Sequence, residues 1–349
     1  MPDAAHQIRY TIVGYGSAGR TIHLPLLSFE PRMKLHGIVA RRPETREEAS
    51  NRHRDAKMYA TVEEMLADDD VDLVIITTPH DSHAPIAIQS LEAGKNVVTD
   101  KPMCLNLSEY EAMRAAQSQS GKLLTVFHNA RLSGDYLTLR SIVHEGRLGE
   151  LRWLEVNWNR HGLSKRAAWR NDRNAYGGRL IDLGVHLFDQ VLQVFPERIT
   201  SVYTRINRDW PDAQVESACM VTIGFEGGRT AIIDVSSMTR FPKPKYHAVG
   251  MVGTWSKPGG LVDPQDAALA SGNYEDASED IATIGTLVSP DGAFPTPTIA
   301  GDWRRYYANI ADVLLNGAEP LVKLDEMQRV IAVMEAAIES DRRGEVVKL

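Results

Sequence analysis

The sequence is poor in the features that mark exported, disulfide-bonded or membrane-spanning proteins. Its two cysteines, Cys104 and Cys219, are far apart and give neither a disulfide framework nor the ligand spacing of a zinc site. No apolar run approaches the roughly 20 residues that span a bilayer, and the N-terminal MPDAAHQIRY lacks the apolar core of a signal peptide. We therefore expect a cytoplasmic protein with no metal centre and no membrane partner.

Long basic stretches are also missing. Lysine and arginine total 39 against 46 aspartate and glutamate residues, which gives a net charge of −7 over 349 residues. This charge makes a nucleic acid or an anionic membrane surface a poor candidate for the main partner and leaves a small molecule as the expected ligand. The length exceeds what one hydrophobic core normally serves, so we expect two domains, at residues 1–128 and 129–349.

The first domain shows an alternation of apolar strands and helices. Strands are expected at 8–13, 35–40, 71–77, 96–99 and 123–127, and the run at 71–77 is continuously apolar, as is typical of a strand covered on both faces. Pro25 predicts a break or a kink in the first helix. Later helix starts are indicated by Pro43 and by two capping-box patterns, Thr61 with Glu64 and Ser108 with Glu111. The alternation predicts an α/β fold with a parallel sheet that carries helices on both faces.

The pattern changes after about residue 130. Residues 151–159 alternate between apolar and polar side chains, as in a strand with one buried face. Further strands are expected at 199–206, 215–225 and 229–237, with a hairpin turn at Glu226-Gly227-Gly228. Residues 257–300 are rich in Gly, Pro, Ala, Ser and Asp and are expected to be irregular, and helices are expected near 133–145, 180–194, 303–316 and 325–341. The sequence thus predicts a C-terminal α+β domain with a large, mostly antiparallel open sheet.

A glycine-rich turn follows the first strand directly. Its residues Gly14, Tyr15, Gly16, Ser17, Ala18 and Gly19 match the pattern G-x-G-x-x-G. In such a turn the first glycine permits the tight bend, the second lets the backbone approach a pyrophosphate, and the third allows close packing of helix on strand. The pattern alone is a weak signal, but its place between a strand and a helix that begins a series of βα units indicates a Rossmann dinucleotide site.

The end of the second strand indicates which dinucleotide is bound. An NAD site usually carries Asp or Glu there for the ribose hydroxyls, whereas this sequence has Ala40, Arg41 and Arg42. A guanidinium can form bidentate, charge-assisted hydrogen bonds with the 2′-phosphate of NADP; the alternative is a pair of solvated surface arginines. We therefore expect NADP(H) as the preferred cofactor, with NAD(H) as the alternative.

A lysine stands directly after the strand at 96–99. The triplet Asp100-Lys101-Pro102 follows that strand, and the carboxyl ends of strands face the ligand crevice in a doubly wound sheet. Lys101 is therefore expected where the nicotinamide lies. On the sequence alone, a surface lysine beside a rigid proline turn is an equally good interpretation.

One predicted helix, at about 180–194, combines an apolar surface with a polar stripe. Asp182 and His186 are four residues apart and therefore share one face, and Asp189 and Gln193 extend the stripe. The alternative is a hydrogen-bonded Asp–His pair that faces solvent. However, polar groups on so apolar a helix need a polar destination, and an active site provides one.

Together these motifs resemble the Gfo/Idh/MocA family of oxidoreductases. The matching segments are GYGSAGR with His23 and Pro25, TTPHDSH at 77–83, LEAGKNVVTDKP at 91–102 and GGRLIDLGVHLFDQ at 177–190. The family's E-K-P appears here as Asp100-Lys101-Pro102. The resemblance implies a catalytic group of Lys101, Asp182 and His186. It also implies a cofactor cleft lined by Thr77, Thr78, Pro79, His83, Asp100 and Lys101.

A closer resemblance is to the NADP-dependent scyllo-inositol dehydrogenases of this family. It rests on VFHNAR at 126–131, YLTLRSIVHEGRLGE at 136–150, AWR at 168–170 and GDWRRYY at 301–307. That branch usually has H-N-R-R-W-D where this sequence has His128-Asn129-Ala130-Arg131-Leu132-Ser133, so the resemblance leaves the substrate open. With Lys101, Asp182 and His186, the expected substrate contacts are His128, Asn129, Arg160 and Trp169.

Residues 160–179 form a basic segment with two interpretations. It is either a solvated loop or a lid over NADP or an anionic substrate. Trp169 is likewise either a platform on which a sugar stacks or a packing residue.

The implied reaction is hydride transfer between a nicotinamide and a secondary alcohol or ketone of a cyclic polyol or sugar. Neutral His186 would take the hydroxyl proton, Lys101 would hold the hydroxyl, and Asp182 would bind or orient the substrate. Two alternatives stay open: a dinucleotide-dependent glycosidase, and a non-catalytic, NADP-sensing regulator on the same fold. By family analogy, the large sheet is expected to form a homodimer or homotetramer.

Overall fold

The computed structural model describes residues 7–162, 172, 177–211, 214–260, 262–272 and 283–349. The chain divides into two compact units, and each is described by itself. The first unit contains Met1–His128 and Arg304–Gln328, and the second contains Asn129–Trp303 and Arg329–Leu349. The domain limits 1–128 and 129–349 stay a prediction, and these units differ from them in that residues 304–328 group with the first.

The first unit is built on a six-stranded parallel sheet. Its strands are β1 (Ile8–Val13), β2 (Met33–Val39), β3 (Lys57–Tyr59), β4 (Leu73–Ile76), β5 (Asn96–Thr99) and β6 (Leu124–Val126). They run in the order β3-β2-β1-β4-β5-β6, and every neighbouring pair is parallel. All four residues of β4 are fully buried, as the continuous apolar runs predicted. The strand order reverses at β1 and β4, which is where this kind of sheet opens its ligand crevice.

In the described residues, six α-helices belong wholly to the first unit. They are α1 (Leu24–Leu27), α2 (Pro43–Arg52), α3 (Val62–Leu66), α4 (His83–Glu92), α5 (Leu107–Ser120) and α9 (Arg304–Asn316). The chain is not broken at Pro25: residues 17–27 are continuously helical, but a π-helical turn over Gly19–His23 distorts the helix before α1, and the proline stands in the first turn of α1.

The two predicted capping boxes have different outcomes. The hydroxyl of Thr61 accepts the N–H of Glu64 at 3.2 Å, as predicted. The prediction of a cap at Ser108 is wrong, because α5 begins two residues earlier: the side chain of Asn106 accepts the N–H of Glu109 at 2.8 Å. The Leu105 N–H donates to the Glu109 carboxylate at 2.9 Å. The acidic residue that completes this cap is therefore Glu109 and not Glu111.

The second unit contains a nine-stranded sheet. Its strands are β7 (Leu151–Asn159), β8 (Ile199–Asn207), β9 (Ala218–Phe225), β10 (Thr230–Ser236), β11 (Tyr246–Gly250), β12 (Thr254–Lys257), β13 (Gly285–Ser289), β14 (Gly292–Thr296) and β15 (Val347–Lys348). The order is β14-β13-β12-β11-β7-β10-β9-β8-β15. Among the described strands of this sheet, only β7 and β10 pair in parallel, and the other pairs are antiparallel. The predicted mostly antiparallel sheet is therefore confirmed.

The expectation of an irregular segment at 257–300 is wrong. This region contains α8 (Pro264–Ser271) and the strands β13 and β14, which extend the sheet to its edge. A Cβ added to Gly285 would lie 2.6 Å from Nε1 of Trp255 on the neighbouring strand, so the glycine makes room for a fully buried indole. Glycine and proline, which indicate turns in the sequence, here make room for a neighbouring side chain, as Gly285 does, or stand in an edge strand, as Pro295 does in β14.

Helices cover one face of this sheet. The second unit contains α6 (Gly134–His144) and α7 (Val185–Val194), and α10 (Leu324–Arg343) ends in it. Along β7, Leu154 and Val156 are buried, whereas Trp153 on the opposite face is exposed, which is the alternation expected of a sheet with one covered face. In the described part of the chain, no helix is both long enough and apolar enough to cross a membrane.

Candidate active site

The three glycines of the turn after β1 have three different environments. Gly14 has a φ of +99°, a conformation that glycine adopts easily and other residues rarely do. A Cβ on Gly19 would lie 2.7 Å from the carbonyl oxygen of Gly14, so only glycine permits this packing. Gly16, by contrast, has open space around its missing side chain, with nothing within 4 Å. A bend, a close contact and an accessible stretch of backbone are what a pyrophosphate cradle requires.

The end of β4 fixes this turn from the other side of the crevice. The Thr77 hydroxyl donates to the carbonyl oxygen of Gly14 at 2.6 Å, and the Thr77 backbone N–H donates to the carbonyl oxygen of Val13 at 2.8 Å. The Gly14 N–H donates in turn to the carbonyl of Val39, at the end of β2, at 3.0 Å. The predicted residue Thr77 therefore lies against the glycine turn and holds its conformation.

Tyr15 connects the glycine turn to α2. Its hydroxyl lies 3.1 Å from Nε2 of His53, and the guanidinium of Arg20 lies 5.7 Å from its ring centre. Burial raises the pKa of Tyr15 and lowers that of His53, so both rings are predominantly neutral at pH 7. A helical segment begins at Ser17 and Ala18. No sequence motif points to His53, which lies 38 residues from Tyr15.

The two arginines after β2 are both exposed. The Arg42 guanidinium lies 3.6 Å from the carboxylate of Glu44. The backbone of this loop is held by Arg46, whose Nη1 donates to the carbonyls of Ala40 and Arg41 at 2.7 Å each. Arg46 thus shapes the loop, while the Arg41 side chain extends into solvent. Binding of a 2′-phosphate by Arg41 and Arg42 stays a prediction.

His83 is a link between two loops of the first unit. Its ring is fully buried, with Nε2 at 2.9 Å from the carbonyl oxygen of Thr78 and Nδ1 at 2.8 Å from that of Pro102. The Ser82 hydroxyl donates to the carbonyl of Pro79 and to the Thr78 hydroxyl, each at 2.7 Å. His83 therefore fixes the loop after β4 to the loop after β5. The sequence identified this residue but gave no indication of its bridging contacts.

Asp100 and Lys101 follow β5 as predicted. Lys101 is 9% exposed, its peptide bond to Pro102 is cis, and its backbone N–H donates to the Asp100 carboxylate at 2.8 Å. Burial alone would raise the pKa of that carboxyl, but the neighbouring His23, Lys101 and His83 outweigh it, so the pKa lies below its usual range. The site therefore holds a carboxylate anion next to the predicted catalytic lysine.

The predicted Asp–His pair lies in the second unit at the start of α7. Asp182 is in a π-helical turn over Leu180–Gly184 and is 5% exposed, whereas His186 is in the first turn of α7 and is 7% exposed. The His186 ring stacks on Trp158 of β7 with ring centres 5.9 Å apart. Both side chains are buried, so a pair that simply faces solvent does not describe them.

Helix α7 is anchored by polar side chains that the sequence did not identify. Arg131 forms a buried bidentate ion pair with Asp189, at 2.8 Å from Nε and 2.5 Å from Nη2. The next residue, Gln190, donates to the Ala130 carbonyl at 3.0 Å and accepts the Tyr246 hydroxyl at 2.9 Å. The sequence pattern places Asp189 in the polar stripe with Asp182 and His186. In the structure it is instead a structural partner that sets the orientation of the helix.

A buried arginine stands three residues before Asp182. Burial, helped by the positive charge of Arg160, lowers the pKa of Arg179 to about 10, and its Nη2 donates to the carbonyl of Gly162 at 3.0 Å. Its backbone N–H donates to the buried Glu216 carboxylate at 2.9 Å, and burial raises the pKa of Glu216. A Cβ on Gly178 would overlap that carboxylate, which accounts for the glycine there.

The remaining predicted substrate contacts differ in how far they are buried. His128, at the end of the first unit, and Asn129, in the second, are both buried. Arg160 is exposed, and its N–H donates to the Ser236 carbonyl at 2.9 Å. Trp169 and most of the basic segment at 160–179 lie outside the described residues.

One group of side chains in the described residues has the spacing of a metal site. Ligand atoms of His36, Asp68 and Asp70 lie within 4.8 Å of one another. However, Lys57 donates to Asp68 at 2.6 Å, and the Arg9 guanidinium pairs with Asp70. Because two cations already compensate these carboxylates, the group is better described as an ion-pair network than as a metal centre.

Comparisons with known proteins agree with this arrangement. A family model described as an oxidoreductase family with an NAD-binding Rossmann fold (GFO_IDH_MocA) matches residues 8–128, and the GFO/IDH/MocA C-terminal domain matches residues 136–256.

Two curated relatives match over nearly the whole chain. The scyllo-inositol 2-dehydrogenase (NADP(+)) IolW of Bacillus subtilis is 30% identical, with 98% of this chain and 96% of that protein covered. The uncharacterized oxidoreductase YdgJ of Escherichia coli is 31% identical, with 95% and 96% covered. Among solved structures, yvaA from Bacillus subtilis in its triclinic form superposes with a TM-score of 0.90 at 29% identity, covering 99% of both chains. The protein therefore belongs to the Gfo/Idh/MocA family of oxidoreductases and is an NAD(P)-dependent dehydrogenase.

Proposed function

We propose that this dehydrogenase transfers a hydride between NADP(H) and a secondary alcohol or ketone of a cyclic polyol or sugar, with a scyllo-inositol-like compound as the reference substrate. The observation that carries the proposal is the pair Asp182 and His186, two polar side chains that are buried at the start of α7. A carboxylate that can accept from a substrate hydroxyl and an imidazole that can exchange a proton with one suit a hydroxylated substrate. The similarity to a scyllo-inositol 2-dehydrogenase supports the substrate class.

The residues of the first unit fit a dinucleotide. The open space at Gly16 leaves backbone free for a pyrophosphate, while Gly14 and Gly19 shape the turn around it. Tyr15, Ser17 and Ala18, together with Thr77, Thr78 and Pro79, would complete the cleft, with His83 fixing the loops behind it. When bound, the nicotinamide would accept or donate the hydride.

Three side chains would handle the proton and the charge that hydride transfer leaves on the substrate. A ring nitrogen of His186 would take the hydroxyl proton during oxidation and return it during reduction, since imidazoles titrate near neutral pH. The Lys101 ammonium would bind the same oxygen and stabilise its developing negative charge. Asp182 would accept a hydrogen bond from a neighbouring hydroxyl of the substrate and so orient the ring.

A spectrophotometric screen tests this proposal. We expect NADPH formation with inositols, aldoses or their acids as substrate. His186→Ala should lower kcat by at least about a thousandfold, because general-base catalysis contributes up to about four orders of magnitude, while NADPH affinity stays within about twofold. Normal turnover by His186→Ala, or no redox turnover with any polyol or sugar, contradicts the proposal. Sugar release from an aryl glycoside without NADPH accumulation would instead favour the glycosidase alternative.

The choice of NADP over NAD is part of the proposal. The exposed Arg41 and Arg42 stand where a 2′-phosphate would be bound, and the relative IolW is named as NADP-dependent. We expect Arg41→Ala to lower kcat/KM with NADP by about tenfold or more and to leave that with NAD nearly unchanged, because a charge-assisted hydrogen bond is lost only with NADP. A wild-type preference for NAD would contradict this part.

We also propose that the protein forms a homodimer or homotetramer through the exposed face of its nine-stranded sheet. Trp153, Tyr203 and Met220 share that face and are 38%, 36% and 46% exposed. Light scattering after size-exclusion chromatography should give two or four times the chain mass of 38.8 kDa. Met220→Glu should shift the mass towards the monomer, since it places a charge on the apolar face; a monomeric wild type would overturn the proposal. Location in the cytoplasm stays a prediction from the sequence.

A further inference from the structure

A line of three polar side chains runs through the interior of the first unit towards Lys101. The hydroxyl of Tyr307, on α9, lies 2.6 Å from Nδ1 of His23 in the π-helical turn after the glycine motif. Nε2 of the same ring lies 3.6 Å from Oδ1 of Asp100, which accepts the backbone N–H of Lys101 at 2.8 Å. His23 and Tyr307, which are 284 positions apart in the chain, thus lie in one line that ends at the Asp100 carboxylate.

The surroundings of this line are aromatic and buried. His23 and Tyr307 are both fully buried, and the Phe127 ring lies 4.4 Å from the imidazole and stacks on Tyr307 at 5.8 Å. An apolar side chain would fill such a space at lower cost than an imidazole, whose two nitrogens both require partners. Packing therefore gives no reason for a histidine here, whereas a neighbouring anion does.

The chemistry of the partners sets the direction of these contacts. At 3.6 Å, Nε2 of His23 lies beyond hydrogen-bond distance from Asp100, but a carboxylate only accepts, so the favoured tautomer carries its hydrogen on Nε2. Nδ1 then accepts the hydrogen of the Tyr307 hydroxyl at 2.6 Å. Burial raises the pKa of Tyr307, which keeps this phenol protonated and able to donate. The line is therefore oriented from tyrosine through histidine to aspartate.

We propose that Tyr307 and His23 are positioning residues, which hold the Asp100 carboxylate charged and oriented so that it fixes the backbone and the ammonium of Lys101. The inference rests on the proposed function, in which Lys101 binds the substrate oxygen. The titratable groups that face Asp100 are His23, Lys101 and His83. The titratable groups that face Tyr307 are Tyr306, Asp100 and Tyr10.

The first test is spectroscopic and requires no substrate. In the full-length protein with NADP bound and its histidines labelled with ¹⁵N, the His23 signal is assigned by its loss in His23→Asn. We expect Nε2 to be protonated and Nδ1 to be a hydrogen-bond acceptor. Tyr307→Phe should shift the Nδ1 signal, and Asp100→Asn the Nε2 signal. A protonated Nδ1 with a bare Nε2, or an Nε2 signal unchanged in Asp100→Asn, overturns the proposal.

The second test is kinetic, in the direction of ketone reduction. There His186 acts in its protonated form, so its own titration does not limit the rate at low pH. Tyr307→Phe should lower kcat by about tenfold with little change in KM. The acid limb of its pH profile should move to higher pH, because Asp100 without an oriented His23 is protonated more easily.

The matched control is Tyr110→Phe, which removes a buried hydroxyl in the same unit that donates to the Leu324 carbonyl at 3.3 Å. It should leave both the kinetic profile and the His23 spectrum unchanged. Asp100→Glu should retain activity, since one added methylene can close the 3.6 Å separation from His23. If Tyr307→Phe behaves like Tyr110→Phe while Lys101→Ala is inactive, the inference fails and the proposed function stands. If wild-type protein reduces no polyol-derived ketone, the proposed function fails, and the nitrogen spectra decide the hydrogen-bonded line on their own.

Discussion

The two units hold their candidate functional residues by different physical means. In the first, the residues lie in loops at the ends of parallel strands, and backbone conformation decides their placement, as Gly14, Gly19 and the carbonyl contacts of His83 illustrate. In the second, Asp182 and His186 lie on a helix whose orientation depends on the side-chain partners Arg131 and Asp189. The first site should therefore be most sensitive to changes that alter the backbone, and the second to loss of a buried partner.

The largest effect should come from Gly19→Ala in the first unit. Its Cβ would lie 2.7 Å from the Gly14 carbonyl oxygen and 2.9 Å from the Thr77 hydroxyl, so the turn must open. We expect NADPH affinity, measured by fluorescence titration, to fall by about a hundredfold or more. The control Gly16→Ala meets no atom within 4 Å, so it should leave the melting temperature unchanged and weaken NADPH binding alone. Equal affinity of Gly19→Ala and wild type would break the comparison.

The second unit should respond most strongly to Arg131→Ala. This change leaves the carboxylate of Asp189, which is 1% exposed, without its cation. Removal of one partner of a buried pair typically costs about 3–5 kcal/mol in the free energy of unfolding, which urea denaturation measures. Arg152→Ala, which breaks an exposed ion pair with Glu150 in the same unit, should cost less than about 1 kcal/mol. Similar losses for the two variants would show that α7 does not depend on the buried pair.

Loss of the network around Asp68 in the first unit should lower the free energy of unfolding by less than loss of Arg131, and the effect should be largest above pH 3.8. The Lys57 ammonium, together with the hydrogen bonds from Tyr59 and His36, holds the pKa of the Asp68 carboxyl well below its ordinary value of 3.8. Because the folded-state pKa is depressed, the stabilisation is present above pH 3.8 and is lost as the pH falls below it. Asp68→Asn should therefore cost about 1 kcal/mol at pH 7, and the difference from wild type should shrink in urea titrations near pH 3. A pH-independent difference would argue for packing rather than charge.

The smallest effect concerns helix caps. Thr61→Ala removes the acceptor for the Glu64 N–H and should cost about 1 kcal/mol. Ser108→Ala should cost almost nothing, since Asn106 caps α5. Thermal melts of the two variants sharpen the comparison, because both changes affect only local backbone groups of the first unit. A larger loss for Ser108→Ala would reverse this assignment.

The parts of the fold that were predictable are those in which local sequence and burial agree. The strand β4 is continuously apolar because both faces of the first sheet are covered, and β7 alternates because one face of the second sheet is exposed. The three-residue strand β3 carries too little pattern to detect. Residues 257–300 were misjudged, because Pro295 stands in the edge strand β14, where a missing N–H costs no ladder hydrogen bond.

The parts of the site that could not be predicted depend on contacts between distant segments. Motifs identified Lys101, Asp182 and His186 as candidates, because their spacing is local. The partner of Asp189 is 58 residues away, and that of His23 is 284 residues away. No periodicity marks such pairs, since a single buried polar contact leaves no repeating pattern in the sequence. In the sequence, Arg179 is one of several cations in the basic segment at 160–179. Nothing in that pattern indicates that it is buried and that its pKa is lowered to about 10.

The return of residues 304–328 to the first unit determines when that unit can be completed during synthesis. Tyr307, which contacts His23, and Val322, whose carbonyl accepts the Thr125 hydroxyl at 2.8 Å, are made after the whole segment 129–303. The nucleotide-binding half therefore cannot acquire its full interior while the chain is still short, although domains generally fold in order from the N-terminus. A genetic truncation at His128 would leave Phe127 and His23 without their aromatic cover from Tyr307. A stable isolated version of that half requires residues 304–328 joined to it by a linker.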